Sequence, residues 1–230
     1  MPVVCASCGG DAGIASAERS NVEPSLPPDP EQLARDRRLR LLNIPHGFEG
    51  ATLDSFEATG TLLRRKHVLA LRYLDVFHDL PVVARLIVLQ GGAGTGKTHL
   101  CVAIGRELAV EQNVGARYAS FPDVVRELRA GDMANVEPAD REIAVLDRYR
   151  TVDLLILDDV NVDAVEGLGH CASHLSDIVT ARYEADRPTI IATRDPIGHG
   201  SLISDDLAAA IVVNKALWWF GLRAYARRDA

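Results

Sequence analysis

Eight consecutive residues, Gly91-Gly92-Ala93-Gly94-Thr95-Gly96-Lys97-Thr98, carry the densest chemistry in the sequence. They fit G-x-x-x-x-G-K-[ST], the spacing of a phosphate-binding loop. Glycines let the backbone turn tightly and aim successive N–H groups at anionic oxygens. Lys97 is expected to reach the β- and γ-phosphates of a bound nucleotide, and the Thr98 hydroxyl to bind Mg²⁺. A second stretch, Val152 to Asp159, is an apolar run ending in two acids. Such a run reads as a buried parallel strand with carboxylates at its C-terminal edge, where ligands sit in an open α/β sheet. Asp158 is then placed to hold Mg²⁺ with its waters, and Asp159 to orient an attacking water.

The elements that must position these residues follow from periodicity. Val82 to Leu89 is a buried strand feeding the glycine loop. Leu100, Ala103, Ile104 and Leu108 recur at helical spacing, so a helix starts near Lys97 and lends its positive N-terminus to the phosphates. Thr59 to Phe77 is an amphipathic helix with Leu62, Leu69, Tyr73 and Phe77 near one face. Val114 to Ser120 reads as a strand. Phe121 to Ala130 reads as a helix with Pro122 at an early position, Asp132 to Pro138 as a loop, and Ala139 to Tyr149 as a helix. Gly169 to Glu184 is a helix with Leu175, Ile178 and Val179 inward, and Thr189 to Thr193 a further parallel strand. Thr193 stands at the nucleotide edge and joins Lys97, Asp158 and Asp159 as a candidate catalytic residue. Leu202 to Ala230 reads as one or two helices, with Trp218, Trp219 and Phe220 as packing residues and Arg223, Arg227 and Arg228 as a solvated tail. The whole predicts a three-layer α/β domain with a mainly parallel sheet and right-handed crossovers, from about Ala51 onward.

The chain has 230 residues, a size that suits one domain with an appendage. A net charge of −7 argues against coating nucleic acid by bulk charge, though not against a local basic stripe. No apolar run is long enough to cross a bilayer and no signal pattern opens the sequence, so a cytoplasmic protein without membrane contact is expected. The four cysteines are then expected to be reduced. Cys5 and Cys8 make half of a zinc knuckle. Zinc wants four ligands, and His46 and His67 are isolated, so two thiols in a mobile tail are the favoured reading. Asn21 to Pro30 reads as a linker, and Glu31 to Leu42 as a short helix bearing Leu33, Arg37 and Arg40. Its arginines face either solvent or a phosphate-bearing partner. Residues 1–43 are thus expected to form a short, partly disordered N-terminal extension that could hold a partner, and residues 44–230 the nucleotide domain with a helical C-terminal end.

Five segments together resemble a known family. They are Ala51 to Phe56, Gly91 to His99, Leu154 to Asp159, Ala181 to Glu184, and Arg187 to Ile191. They resemble DnaC-type helicase loaders and IstB-type transposition ATPases, which are AAA+ proteins. The resemblance runs from about Ile44 to Thr193. It implies ATP and Mg²⁺ as cofactors, a nucleotide-binding stretch that extends to His99, homo-oligomers assembled around ATP, and contact with single- or double-stranded DNA. It implies a replicative helicase or a transposase as protein partner. It also sets the Ala51–Phe56 segment beside the nucleotide, where Phe56 is either an adenine neighbour or a buried packing residue. Two departures stand out. Where the family places Thr-Asn, this sequence has Thr193-Arg194, and an arginine cannot position water as an asparagine does. Where the family places a late arginine for its neighbour's site, Ser204 to Ile211 holds none, so either another arginine such as Arg223 substitutes or ATP is bound and hydrolysed slowly.

Three functions follow. One is an ATPase that loads a helicase or assists a transposase through ATP-driven assembly on DNA. The second is an ATP-gated interaction module with little or no hydrolysis, which the missing arginine favours. A small-molecule kinase would need arginines in a lid after the acidic strand, and Asn161 to His170 has none.

Overall fold

The computed structural model describes residues 29–57, 61–79, 86–129, 138–164, 168–195 and 217–222. Five strands form one sheet: β1 (Leu86–Gly91), β2 (Ala116–Ser120), β3 (Leu154–Asp158), β4 (Thr189–Thr193) and β5 (Leu217–Leu222). Their order is β2-β3-β4-β1-β5 and every pairing is parallel. The helices are α1 (Pro30–Leu42), α2 (Thr61–Val76), α3 (Lys97–Glu111), α4 (Phe121–Arg129), α5 (Pro138–Thr151) and α6 (Leu168–Glu184), with a short 3₁₀ turn at Val162–Ala164. From α1 through β4, strand and helix boundaries within the described residues lie close to those the periodicity predicts, the usual scatter at element ends.

Side chains alternate along each strand, so the sheet has two apolar faces. On one, Ile87, Leu89, Ile156 and Ile190 meet Leu100, Ile104 and Leu108 of α3, together with Leu42, Tyr73 and Phe77. On the other, Val88, Leu155, Leu157 and Ile191 meet Phe121, Val124, Val145, Tyr149, Leu175 and Ile178. Both faces are covered, which is why the central strands read as continuous apolar runs rather than alternating ones. Helix α3 lies hard against the sheet: a Cβ at Gly105 would stand 2.3 Å from Ile156 Cδ1.

Helix α1 starts on Asp29, whose side chain accepts from the Glu31 N–H at 3.1 Å, with Pro30 in the first turn. It ends on Asn43 in the left-handed conformation. The helix packs on α3 and β2, with Leu42 fully buried and Arg35 paired to Glu111 at 2.7 Å. The element expected in an N-terminal extension therefore rests on the core.

The C-terminal end differs from expectation. Leu217–Leu222 was expected to be helical, and it is a strand lying parallel to β1, with Val88 opposite Trp219. The free edge of β1 exposes backbone donors and acceptors that a further strand satisfies, and an aromatic run suits a pleated surface. The remainder of 202–230, with Arg223, Arg227 and Arg228, lies outside the described residues, as do Cys5 and Cys8 and the late segment Ser204 to Ile211.

Arg182, in the Ala181–Glu184 segment, is fully buried. Its guanidinium donates to the carbonyls of Tyr149, Arg150, Val152, Asp153 and Pro188, and to the Thr189 hydroxyl. It ties the C-terminal end of α5 to the starts of β3 and β4. Burial pushes its pKa down to about 9, which leaves it charged at neutral pH.

Candidate functional site

The parallel register brings the ends of β1, β3 and β4 to one sheet edge: Gln90 lies opposite Thr193 and Leu157 opposite Ile191. The glycine loop leaves β1 at Gly91 and enters α3 at Lys97. Gly94 and Gly96 take φ of 71° and 83°, conformations that a side chain disfavours. Gly96 is the N-cap of α3 and no side chain caps that helix. The first-turn amides, which have no intrahelical acceptor, are left for an anion. Thr95 braces the loop by donating to the Gly92 carbonyl at 2.9 Å.

Lys97 is 8% exposed, and its ammonium donates to the carbonyls of Gly91 (2.8 Å) and Gly92 (2.9 Å). Burial lowers its pKa, against the opposing pull of Asp158 and Asp159. Thr98 Oγ1 donates to Asp158 Oδ2 at 2.6 Å. Asp158 is only 1% exposed, and it also accepts from the Tyr118 hydroxyl (2.9 Å) and the Asp159 N–H (2.8 Å). Asp159 has a positive φ of 53° at the end of β3. Burial, then the neighbouring Asp158 charge, raises its pKa.

Lys97, Thr98, Asp158 and Asp159 thus converge as the motif spacing predicts. A hydroxyl and a carboxylate in contact are hard oxygen donors of the kind Mg²⁺ takes. Among the described residues no group of three or more His, Cys, Asp or Glu could hold a metal ion. Mg²⁺ is ordinarily held by few protein ligands plus substrate phosphates.

Phe56 is a packing residue in this structure. A Cβ on Gly96 would sit 2.7 Å from its ring, and its ring meets His99 edge-on at 5.4 Å. The His99 imidazole turns away from the loop: Nε2 donates to the Thr52 carbonyl at 2.9 Å and lies 3.2 Å from Ser55 Oγ. The His99 ring fastens the Ala51–Phe56 segment to α3.

Thr193 is fully buried; it accepts from the Asp195 N–H at 3.0 Å and lies beside Asn161. Its hydroxyl lies 3.4 Å from Asn161 Oδ1, which also accepts from the Arg194 N–H at 2.6 Å. The Arg194 guanidinium pairs with Asp163 at 3.0 and 3.2 Å. Sequence reasoning missed three contributors. Tyr118 was read only as part of a strand, and Asn161 and Asp163 only as members of a stretch without arginine. A polar residue between Val160 and Val162, just past the two acids, was the available signal.

A family model described as "IstB-like ATP binding protein" matches residues 29–216. The chain belongs to the IstB-like ATP-binding family. This IstB-like chain is 32% identical over 206 residues to a putative insertion sequence ATP-binding protein of Sinorhizobium fredii, covering 85% of the chain and 63% of that protein. It is 30% identical over 148 residues to the chromosomal replication initiator protein DnaA of Latilactobacillus sakei, covering 64% of the chain and 31% of that protein. The chain therefore spans less than two thirds of the length of either relative. Among solved structures, it matches DnaI with a TM-score of 0.62 at 20% identity, covering 84% of this chain and 100% of that one. The DnaC helicase loader matches with a TM-score of 0.60 at 21% identity, covering 77% and 99%. These two likenesses show a shared fold, an α/β P-loop architecture. Among the described residues no helix is long and apolar enough to cross a membrane.

Proposed function

We propose that this IstB-like chain binds ATP·Mg²⁺ at the glycine loop, hydrolyses it, and uses the ATP state to assemble with copies of itself on DNA for a partner enzyme. The observation that carries the reading is the contact of Thr98 with Asp158 at 2.6 Å, beside a lysine seated on its own loop. A triphosphate draws the Lys97 ammonium off the Gly91 and Gly92 carbonyls, so binding exchanges an internal hydrogen-bond pair for a charged one. Thr98 and Asp158 would hold Mg²⁺, which would neutralise phosphate charge. Asp159 would orient the water, and Thr193 would act from the facing strand. The insertion-sequence relative, matched over most of this chain, favours a transposase as partner over a replicative helicase.

One observation favours a second reading, ATP-gated binding with little turnover: the Arg194 guanidinium is already committed to Asp163. Phosphate release measured with and without single- and double-stranded DNA separates the two. Turnover in the ordinary enzyme range, on the order of 1 s⁻¹ or more, abolished by Asp159→Ala, supports the first. ATP binding with no phosphate release on any DNA supports the second.

A further inference from the structure

We infer that Asn161 is a positioning residue for the water-orienting Asp159, clamping the loop after β3 to the loop after β4. This rests on the hydrolysis reading above. Asn161 is fully buried, and its carboxamide is engaged at both ends. Its Nδ2 donates to Asp159 Oδ1 at 3.4 Å. Its Oδ1 accepts from the Arg194 N–H at 2.6 Å and faces the Thr193 hydroxyl at 3.4 Å. The loop after β3 is also tied on either side, to β4 by the Val160 N–H donating to the Ala192 carbonyl at 3.0 Å and to the loop after β4 by the Val162 N–H donating to Asp195 Oδ2 at 2.6 Å. The acceptor side is short and fixes the carboxamide. The donor side is long, the looseness expected of a catalytic contact before substrate closes the site.

Asp159 needs such a holder. It stands on a backbone of positive φ, which only its surroundings maintain. The Asn161 N–H donates back to the Asp159 carbonyl at 2.8 Å, so backbone and side chain of one residue grip both parts of the other. Arg194, whose guanidinium turns to Asp163, gives its backbone N–H to the Asn161 carboxamide.

The test is a double-mutant cycle on the full chain with ATP, Mg²⁺ and DNA, reading kcat, KM and thermal midpoint. Asn161→Ala lowers kcat about tenfold, the loss of one hydrogen bond to a charged group, with KM for ATP within about twofold of the parent. In an Asp159→Asn background the same change lowers kcat no further, because the group it positions is gone. Asn161→Asp, which keeps the acceptor for Arg194 N–H but loses the donor, covers the case in which Asn161→Ala does not fold, and it too loses kcat. A parental kcat in either variant, or an equal loss with and without the Asp159 carboxylate, overturns the inference and leaves Asn161 a core anchor. A parent chain without turnover sinks the hydrolysis reading and this inference with it.

Discussion

Gly96→Ala places a methyl group where the structure has no room for one. The new Cβ would lie 2.7 Å from Phe56 Cε2, and the backbone there has φ of 83°. Left-handed backbone costs a side-chain-bearing residue roughly 1–2 kcal/mol. Forcing an extra methyl into a packed contact costs typically about 1–3 kcal/mol. The ring cannot simply swing aside, because it packs against His99, whose imidazole is itself held by Thr52. The two effects sum to roughly 2–5 kcal/mol of lost stability in the nucleotide-free chain. Urea unfolding of parent and variant measures it. Gly92→Ala is the control: its Cβ meets nothing within 4 Å and its φ is not positive, so its cost should be under about 0.5 kcal/mol. Phe56→Leu in the Gly96→Ala background should recover part of the packing share and none of the backbone share. If Gly96→Ala were as stable as Gly92→Ala, Phe56 would not be seated on the loop and the tie between the Ala51–Phe56 segment and the nucleotide site would fail.

Other outcomes follow from the same geometry. Arg182→Ala strands the carbonyls of Tyr149, Arg150, Val152, Asp153 and Pro188 and should cost at least ~3 kcal/mol in denaturant titration, without restoration by lysine, which has fewer donors. Tyr118→Phe removes one donor from the buried Asp158 carboxylate and should cost about 1.5–3 kcal/mol by the same assay. Because the Asp159 pKa is raised in the fold, the unfolded chain binds fewer protons between the ordinary carboxylate value and that raised value. Stability of the nucleotide-free chain should therefore fall as pH rises through that window. Asp159→Asn should flatten the slope and stabilise the chain at pH 7, as thermal midpoints across pH would show.

The two chemical motifs were legible because each residue type acts through short-range rules. A glycine loop needs its lysine and threonine at fixed offsets, and a fully covered parallel strand must be apolar until it reaches the ligand edge. Long-range partners were not legible. Arg182 entered the sequence reading only as a member of the Ala181–Glu184 segment, and only the fold shows that it caps the end of α5. Trp218 and Trp219 suit a helix face or a strand equally well, and the vacant edge of β1 decided for the strand. Phe56 left packing and adenine contact both open, since the sequence does not say how near Gly96 lies. Asn161 was invisible because its role depends on Thr193 and Arg194, residues more than thirty positions away that parallel pairing brings beside it. Arg194, marked as a departure from the Thr-Asn pattern, could not be seen to pair with Asp163 until the two loops were in place.

Calorimetric titration of ATP·Mg²⁺ into the folded chain, beside Lys97→Ala, tests the nucleotide site most directly. The account requires saturable one-site binding by the parent and its loss, or a weakening of at least about a hundredfold, when the ammonium that sits on Gly91 and Gly92 is removed. No heat from the parent, or equal affinity in parent and variant, contradicts it.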